Sequence, residues 1–190
     1  MNENNRQTEL PNITNGVNVT ALFSTIDAVK NDKGLAEFRF RASNRWVDGG
    51  HNRSTIQGFY GSGEEDSSRS QAFMMDADEP AVLLGEDKGA NPVEYLLHAL
   101  AACLTTTMVY HSAARGIEIN AVESTLEGEL DLQGFLGLSD EVRKGYRQIR
   151  VNFKVQSSAD ASLLRELAQF SPVYDVVSNS LPVSINIETY

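Results

Sequence analysis

The chain has one cysteine, Cys103, set inside the almost unbroken apolar run from Asn91 to Tyr110. A single thiol cannot close a disulfide within its own chain, so it is a packing residue, a metal ligand or a reactive group. Reactivity requires the thiolate, and because burial alone favours the neutral thiol, a cation or hydrogen-bond donors must stand close by. The helix expected around Cys103 offers none. His98 lies five residues back and His111 eight ahead, about 140° and 80° from the Cys103 direction at 100° per residue. The cation must therefore come from another element. Arg41, Arg45 and Arg53 are spaced so that some of them can share one sheet face, and a guanidinium is well suited to hold a thiolate.

Glu94 stands three residues after Asn91 and completes a capping box, which accounts for it structurally. It also precedes Cys103 by nine residues, ~13.5 Å along a continuous helix, so it can act on a thiol only across a dimer interface. His51, His98 and His111 are scattered, with no His-x-x-x-His or Cys-x-x-Cys spacing, and no metal site is expected. The Gly58 to Gly63 stretch lacks the terminal Lys-Ser/Thr and the following apolar helix of a phosphate loop. It reads as flexible loop, and no cofactor is expected.

The elements that must position these residues follow from periodicity. Val17 to Lys30 carries an apolar stripe at three- and four-residue intervals and predicts a helix. From Leu35 the period becomes two, predicting a half-buried strand through Phe38, Phe40 and Ala42. Asp48-Gly49-Gly50 then turns the chain into a second strand over Asn52 to Tyr60. Gly61 to Ser70 reads as a polar loop, and Gln71 to Ala77 as a third short strand. Asn91 as cap, Pro92 at the first helical position and Gly116 as stop delimit a central helix, apolar nearly all round and expected to be enclosed on several sides by sheet or by a partner subunit. Strands over Ile117 to Leu132 and Tyr146 to Val155, a helix over Ser158 to Phe170, a helical turn after Pro172 and a closing strand over Pro182 to Glu188 complete an α+β order.

Composition narrows the function classes. With 190 residues, 41% hydrophobic and 22% charged, the chain can build one domain with or without an extension. Glu94, His98 and the threonines 105 to 107 interrupt its longest apolar run, so no membrane span is expected. The N-terminus shows no basic region followed by an apolar stretch, which points to a cytoplasmic protein. A formal charge of −10 disfavours nucleic acid and anionic membrane surfaces as partners.

Two segments together, Asn91-Pro-x-Glu-x-Leu-Leu-x-Ala-Leu-Ala-Ala-Cys103 and Ser171-Pro-Val-x-Asp175 with Pro182-Val183 downstream, resemble the OsmC and organic hydroperoxide resistance family, in its OsmC-like branch. The resemblance covers roughly residues 35 to 190 and leaves 1 to 34 as an N-terminal extension. It implies an OsmC-like α+β fold in an intertwined homodimer, with long central helices packed between antiparallel sheets and active sites at the dimer interface. It also implies reduction of organic hydroperoxides by a helix cysteine, with an arginine and a glutamate supporting the thiol and a second cysteine resolving the product. Cys103 matches the reactive cysteine, whereas Ser171 stands where the second cysteine would be. The family's acidic residue falls on Val93, one position before Glu94. Its arginine follows a glycine pair; here Gly49-Gly50 is followed by His51, with Arg53 two further on. Two readings remain open. One is a one-cysteine peroxidase that uses an external thiol; the other is a non-catalytic binder of a small apolar molecule in which Cys103 is structural.

Overall fold

A computed structural model of the protein describes residues 12–189. Two compact units divide the chain between Leu96 and Leu97.

The first unit opens with a short antiparallel pair, β1 (Ile13–Thr14) and β2 (Val17–Asn18), and the helix α1 (Val19–Asn31). The Asn18 side chain caps α1 by accepting from the Ala21 amide at 3.0 Å. The strand expected from Leu35 to Ala42 does not form. Asp32 accepts from the Gly34 amide at 2.9 Å and folds Lys33–Ala36 into a 3₁₀ turn. Phe38 stacks with Phe40 and with Phe59, at centroid distances of 5.8 and 6.3 Å, and Phe40 meets Phe59 tilted at 5.4 Å. The alternation marks a surface ring cluster, with Phe40 72% exposed, and not an inward sheet face.

The strand begins later, as β3 (Ser43–Asp48), and turns through Gly49 and Gly50 into β4 (His51–Ile56). After a second hairpin, β7 (Phe73–Ala77) pairs with β4, giving an antiparallel sheet in the order β3-β4-β7. That second hairpin, β5 (Phe59–Gly61) with β6 (Glu64–Asp66), occupies the start of the expected loop. Ser62 and Gly63 both take positive φ, 53° and 88°, the two-residue turn that matches strand twist. Arg41 fastens it by a bidentate pair with Glu65, at 2.7 and 2.8 Å.

The central helix is α2 (Pro92–Ala113), ended as expected by Gly116 at φ 67°. In the second unit its Leu100, Leu104 and Met108 form a core with two residues, Leu164 and Ala168, of α4 (Ala161–Ala168). Against that core pack Leu126 of β8 (Ile119–Glu129) and Val151, Phe153 and Val155 of β9 (Gln148–Ser157). The two strands form a long antiparallel pair, with the short helix α3 (Leu132–Phe135) between them. The helix α5 (Pro172–Ser178) follows α4.

By length and composition α2 is sufficient to cross a membrane, with a mean hydropathy of 1.2 over 18 residues, and 17% of that window is buried in the single chain. One expectation about this region is corrected. Residues 182 to 188 carry no strand, and Val183, Ile185 and Ile187 stand exposed, Ile187 to 82%. Alternating residues permit extended backbone, but a strand also needs a neighbour to take its amides and carbonyls. Among the described residues no ladder reaches this segment.

Candidate active site

Cys103 is held by α2 just beside its buried stripe. At 100° per residue it points about 100° away from the middle of Leu100, Leu104 and Met108. It is half-buried, and it shares its helix face with Ala99, Thr106 and the exposed Tyr110. A thiol placed there is rigidly based without being sealed in the core.

Ser171 is fully buried. Its Oγ accepts from the Tyr174 amide at 3.1 Å and so caps α5, with Pro172 at the first helical position. Glu94 is likewise occupied at a helix end: its Oε2 accepts from the Asn91 amide at 2.9 Å while Asn91 Oδ1 accepts from the Val93 amide at 3.0 Å. Both positions are explained by capping.

The basic residues gather on the sheet of the first unit. Arg53 lies directly opposite Asp76 on β7 and directly opposite Arg45 on β3, so Arg45, Arg53 and Asp76 form one row across three strands. Arg53 Nε donates to Asp76 Oδ1 at 2.8 Å and Nη2 donates to Oδ2 at 3.0 Å. His51, two residues before Arg53 and thus on the same face, brings Nε2 within 2.8 Å of Asp76 Oδ1. The Arg53 hydrogen bond first, and that of His51 second, hold the Asp76 carboxyl below the usual carboxylate range. Asp76 is therefore an anion that only accepts, and His51 Nε2 carries the donated proton. Arg45 makes no ion pair among the described residues, and Arg41 is committed to Glu65.

Asp78, next but one along, is 2% exposed. Desolvation works to raise its carboxyl. The amides of Lys88, Glu79 and Glu86, at 3.2, 2.8 and 3.1 Å, with the charge of His51, outweigh that effect and set it below its ordinary value. Tyr95 Oη donates to the Asp76 carbonyl at 2.7 Å. The chain also packs closely against that residue, since a Cβ at Gly89 would fall 2.0 Å from the Asp76 carbonyl oxygen. Asp76 and Asp78 escaped the sequence reading. Their one signal was the acidic run Asp76-x-Asp78-Glu79 closing a predicted strand, and only register pairs it with Arg53.

In the second unit a cavity of about 640 Å³ is lined by Leu104, Met108, Phe153 and Leu164 on its apolar side and by Arg165 and Tyr174 among its polar residues. Among the described residues no group of three or more His, Cys, Asp or Glu side chains is placed to hold a metal ion.

A family model described as OsmC-like protein matches residues 85–188, more than half of the chain. Among solved structures, the chain is similar to an OsmC-like protein from Mycoplasma pneumoniae at 18% identity and a TM-score of 0.56, covering 75% of this chain and 89% of the other. It is also similar to a Psychrobacter arcticus candidate for an osmotic stress induced and detoxification response protein. That match has 13% identity and a TM-score of 0.52, covering 70% of this chain and 85% of the other. These likenesses show the fold, a mixed α+β arrangement with antiparallel sheets. No curated protein matches the chain.

Proposed function

This chain belongs to the OsmC-like protein family, and on that premise we propose that it is a one-cysteine thiol peroxidase that reduces organic hydroperoxides. The observation that carries the reading is Cys103: the chain's only thiol, half-exposed on the central helix within the family's domain. The Cys103 thiolate attacks the distal oxygen of the hydroperoxide, the O–O bond breaks, and the alkoxide leaves as an alcohol after taking a proton. Sulfur becomes the sulfenic acid. Ser171 cannot resolve it, having neither a thiol nor a free position. An external thiol condenses with the sulfenic acid and releases water. A second external thiol then reduces the mixed disulfide, regenerating Cys103 and leaving the external disulfide.

The reading takes Arg53 as the donor to thiolate and peroxide because the family resemblance implies an arginine in that role. Arg45, beside it in the same row, adds positive charge. The reading includes a homodimer, supported by the large part of α2 that one chain leaves uncovered.

The cavity of about 640 Å³ favours a second reading, a binder of a small apolar molecule in which Cys103 is passive. Consumption of cumene hydroperoxide with dithiothreitol as reductant separates the two. Turnover by the wild type and none by Cys103→Ser is expected; equal rates in both proteins would remove the peroxidase reading.

A further inference from the structure

We propose that the cavity of about 640 Å³ in the second unit binds a monocarboxylate with an apolar tail, its headgroup taken by Arg165. The inference goes beyond the peroxidase reading, since it needs neither Cys103 nor a redox step, and it gives a ligand class to the cavity that the second reading invokes. Cys103 does not line this space; it lies about 100° round α2 from the stripe whose Leu104 and Met108 form the cavity floor. The volume falls in the range of roughly 300–1,000 Å³ that small-molecule sites occupy.

Small side chains on α4 open the cavity. At 100° per residue Ala161, Leu164, Arg165 and Ala168 fall within an arc of about 100°, and all four line the space. The helix thus presents an apolar wall, short at its two alanines, with a guanidinium at one edge. Phe153 closes the opposite side from β9. The charge of the lining is one-sided. Arg165 is its one charged residue and no Asp or Glu lines it, although the chain as a whole has 26 acidic residues against 16 basic. Arg165 is exposed and makes no ion pair or side-chain hydrogen bond among the described residues. The Tyr174 hydroxyl is likewise without a partner among them, and that ring also lines the cavity, so a second donor is at hand. A hydrocarbon alone would leave the guanidinium unused, and an inorganic anion would leave the apolar wall unused. A carboxylate with an apolar tail uses both: its two oxygens match the arginine fork while the tail leaves water.

The test is calorimetric titration of the full chain with octanoate, with hexanoate and with the neutral 1-octanol. It is run on Cys103→Ser, so that a failure strikes the cavity alone and leaves the peroxidase reading to its own experiment. Octanoate should bind on the order of 10-fold more tightly than 1-octanol, the worth of a hydrogen bond to a charged group. Hexanoate, shorter by two methylenes, should bind more weakly than octanoate, again on the order of 10-fold. Arg165→Glu should remove the preference for octanoate and leave 1-octanol binding as it was, and Arg165→Lys should keep part of the preference. Ala161→Phe, at an exposed position on the cavity wall, should weaken both eight-carbon ligands. The ¹³C-methyl resonance of Met108 should shift on saturation with octanoate. Equal affinities for octanoate and 1-octanol, or an octanoate affinity unchanged in Arg165→Glu, would overturn the headgroup assignment. Absence of binding, or binding that leaves the Met108 methyl unmoved, would overturn the cavity as the site.

Discussion

In and beside the β3-β4-β7 sheet the buried polar side chains are His51 and Asp78, both held by hydrogen bonds. In the unit that carries Cys103 the interior is Leu100, Leu104, Met108, Leu164 and Leu167, held by contact. The polar exceptions there among the described residues are Ser171, spent on a cap, and Ser112, which is buried with no hydrogen-bond partner for its Oγ among them. The difference is one of what each kind of burial can fix. Apolar packing sets where a backbone lies, and through it where a nucleophile such as Cys103 is based. Hydrogen bonds to an ionised group set which way a donor points, as the forked pair does for Arg53.

The largest effect that would sharpen this contrast is in the apolar unit. Met108→Ala removes a side chain that is 2% exposed, and about 2–5 kcal/mol of unfolding free energy should be lost in urea titration. A loss below about 0.5 kcal/mol, the range of surface changes, would mean that this core is not what holds α2. Asp78→Ala should produce a smaller and more local loss. The amides of Glu79, Glu86 and Lys88 lose their acceptor, and their hydrogen exchange should accelerate while that of Leu104 and Met108 is unchanged. Uniform acceleration across both units would break the contrast.

Acid supplies the third and gentlest probe. Asp76, Asp78, Glu65 and Asp66 in the first unit, and Glu129 in the second, have carboxyls held below their ordinary values in the folded state. A depressed folded pKa means that the unfolded chain binds protons first. The stability these groups contribute is present above the unfolded carboxylate values near about 4 and is lost as pH falls through the lower folded ones. His111 on α2 is depressed by burial and then by Arg115, so its contribution is lost in a separate window that opens below about 6.5. Amide reporters of the second unit should therefore weaken first on mild acidification, and those around Asp76 and Asp78 only below about 4. Residue-resolved exchange against pH checks the order, and the reverse order would contradict it.

Much of this was legible in the sequence, for physical reasons that can be named. The Asn91-Pro92-x-Glu94 start of α2 is local chemistry between neighbours, and the structure reproduces it bond for bond. The Gly49-Gly50 turn and the strand up to Ala77 are local in the same way. What escaped depends on partners distant along the chain. Phe38 and Phe40 alternate as a strand would, but they stack with Phe59 on the surface. Val183, Ile185 and Ile187 alternate equally well and have no ladder to join. Arg53 was visible as a cation, while the residue that aims it was not, since Asp76 lies 23 positions away and meets it only through the β4-β7 register.

The central claim rests on one thiol, and its most direct test is the second-order rate of Cys103 oxidation by cumene hydroperoxide beside that of free cysteine, with intact mass to identify the product. The account predicts a rate several orders of magnitude above free cysteine, with a single oxygen added at Cys103 that converts to a mixed disulfide when an external thiol is supplied. A rate equal to that of free cysteine would contradict it and leave Cys103 as a structural residue of α2.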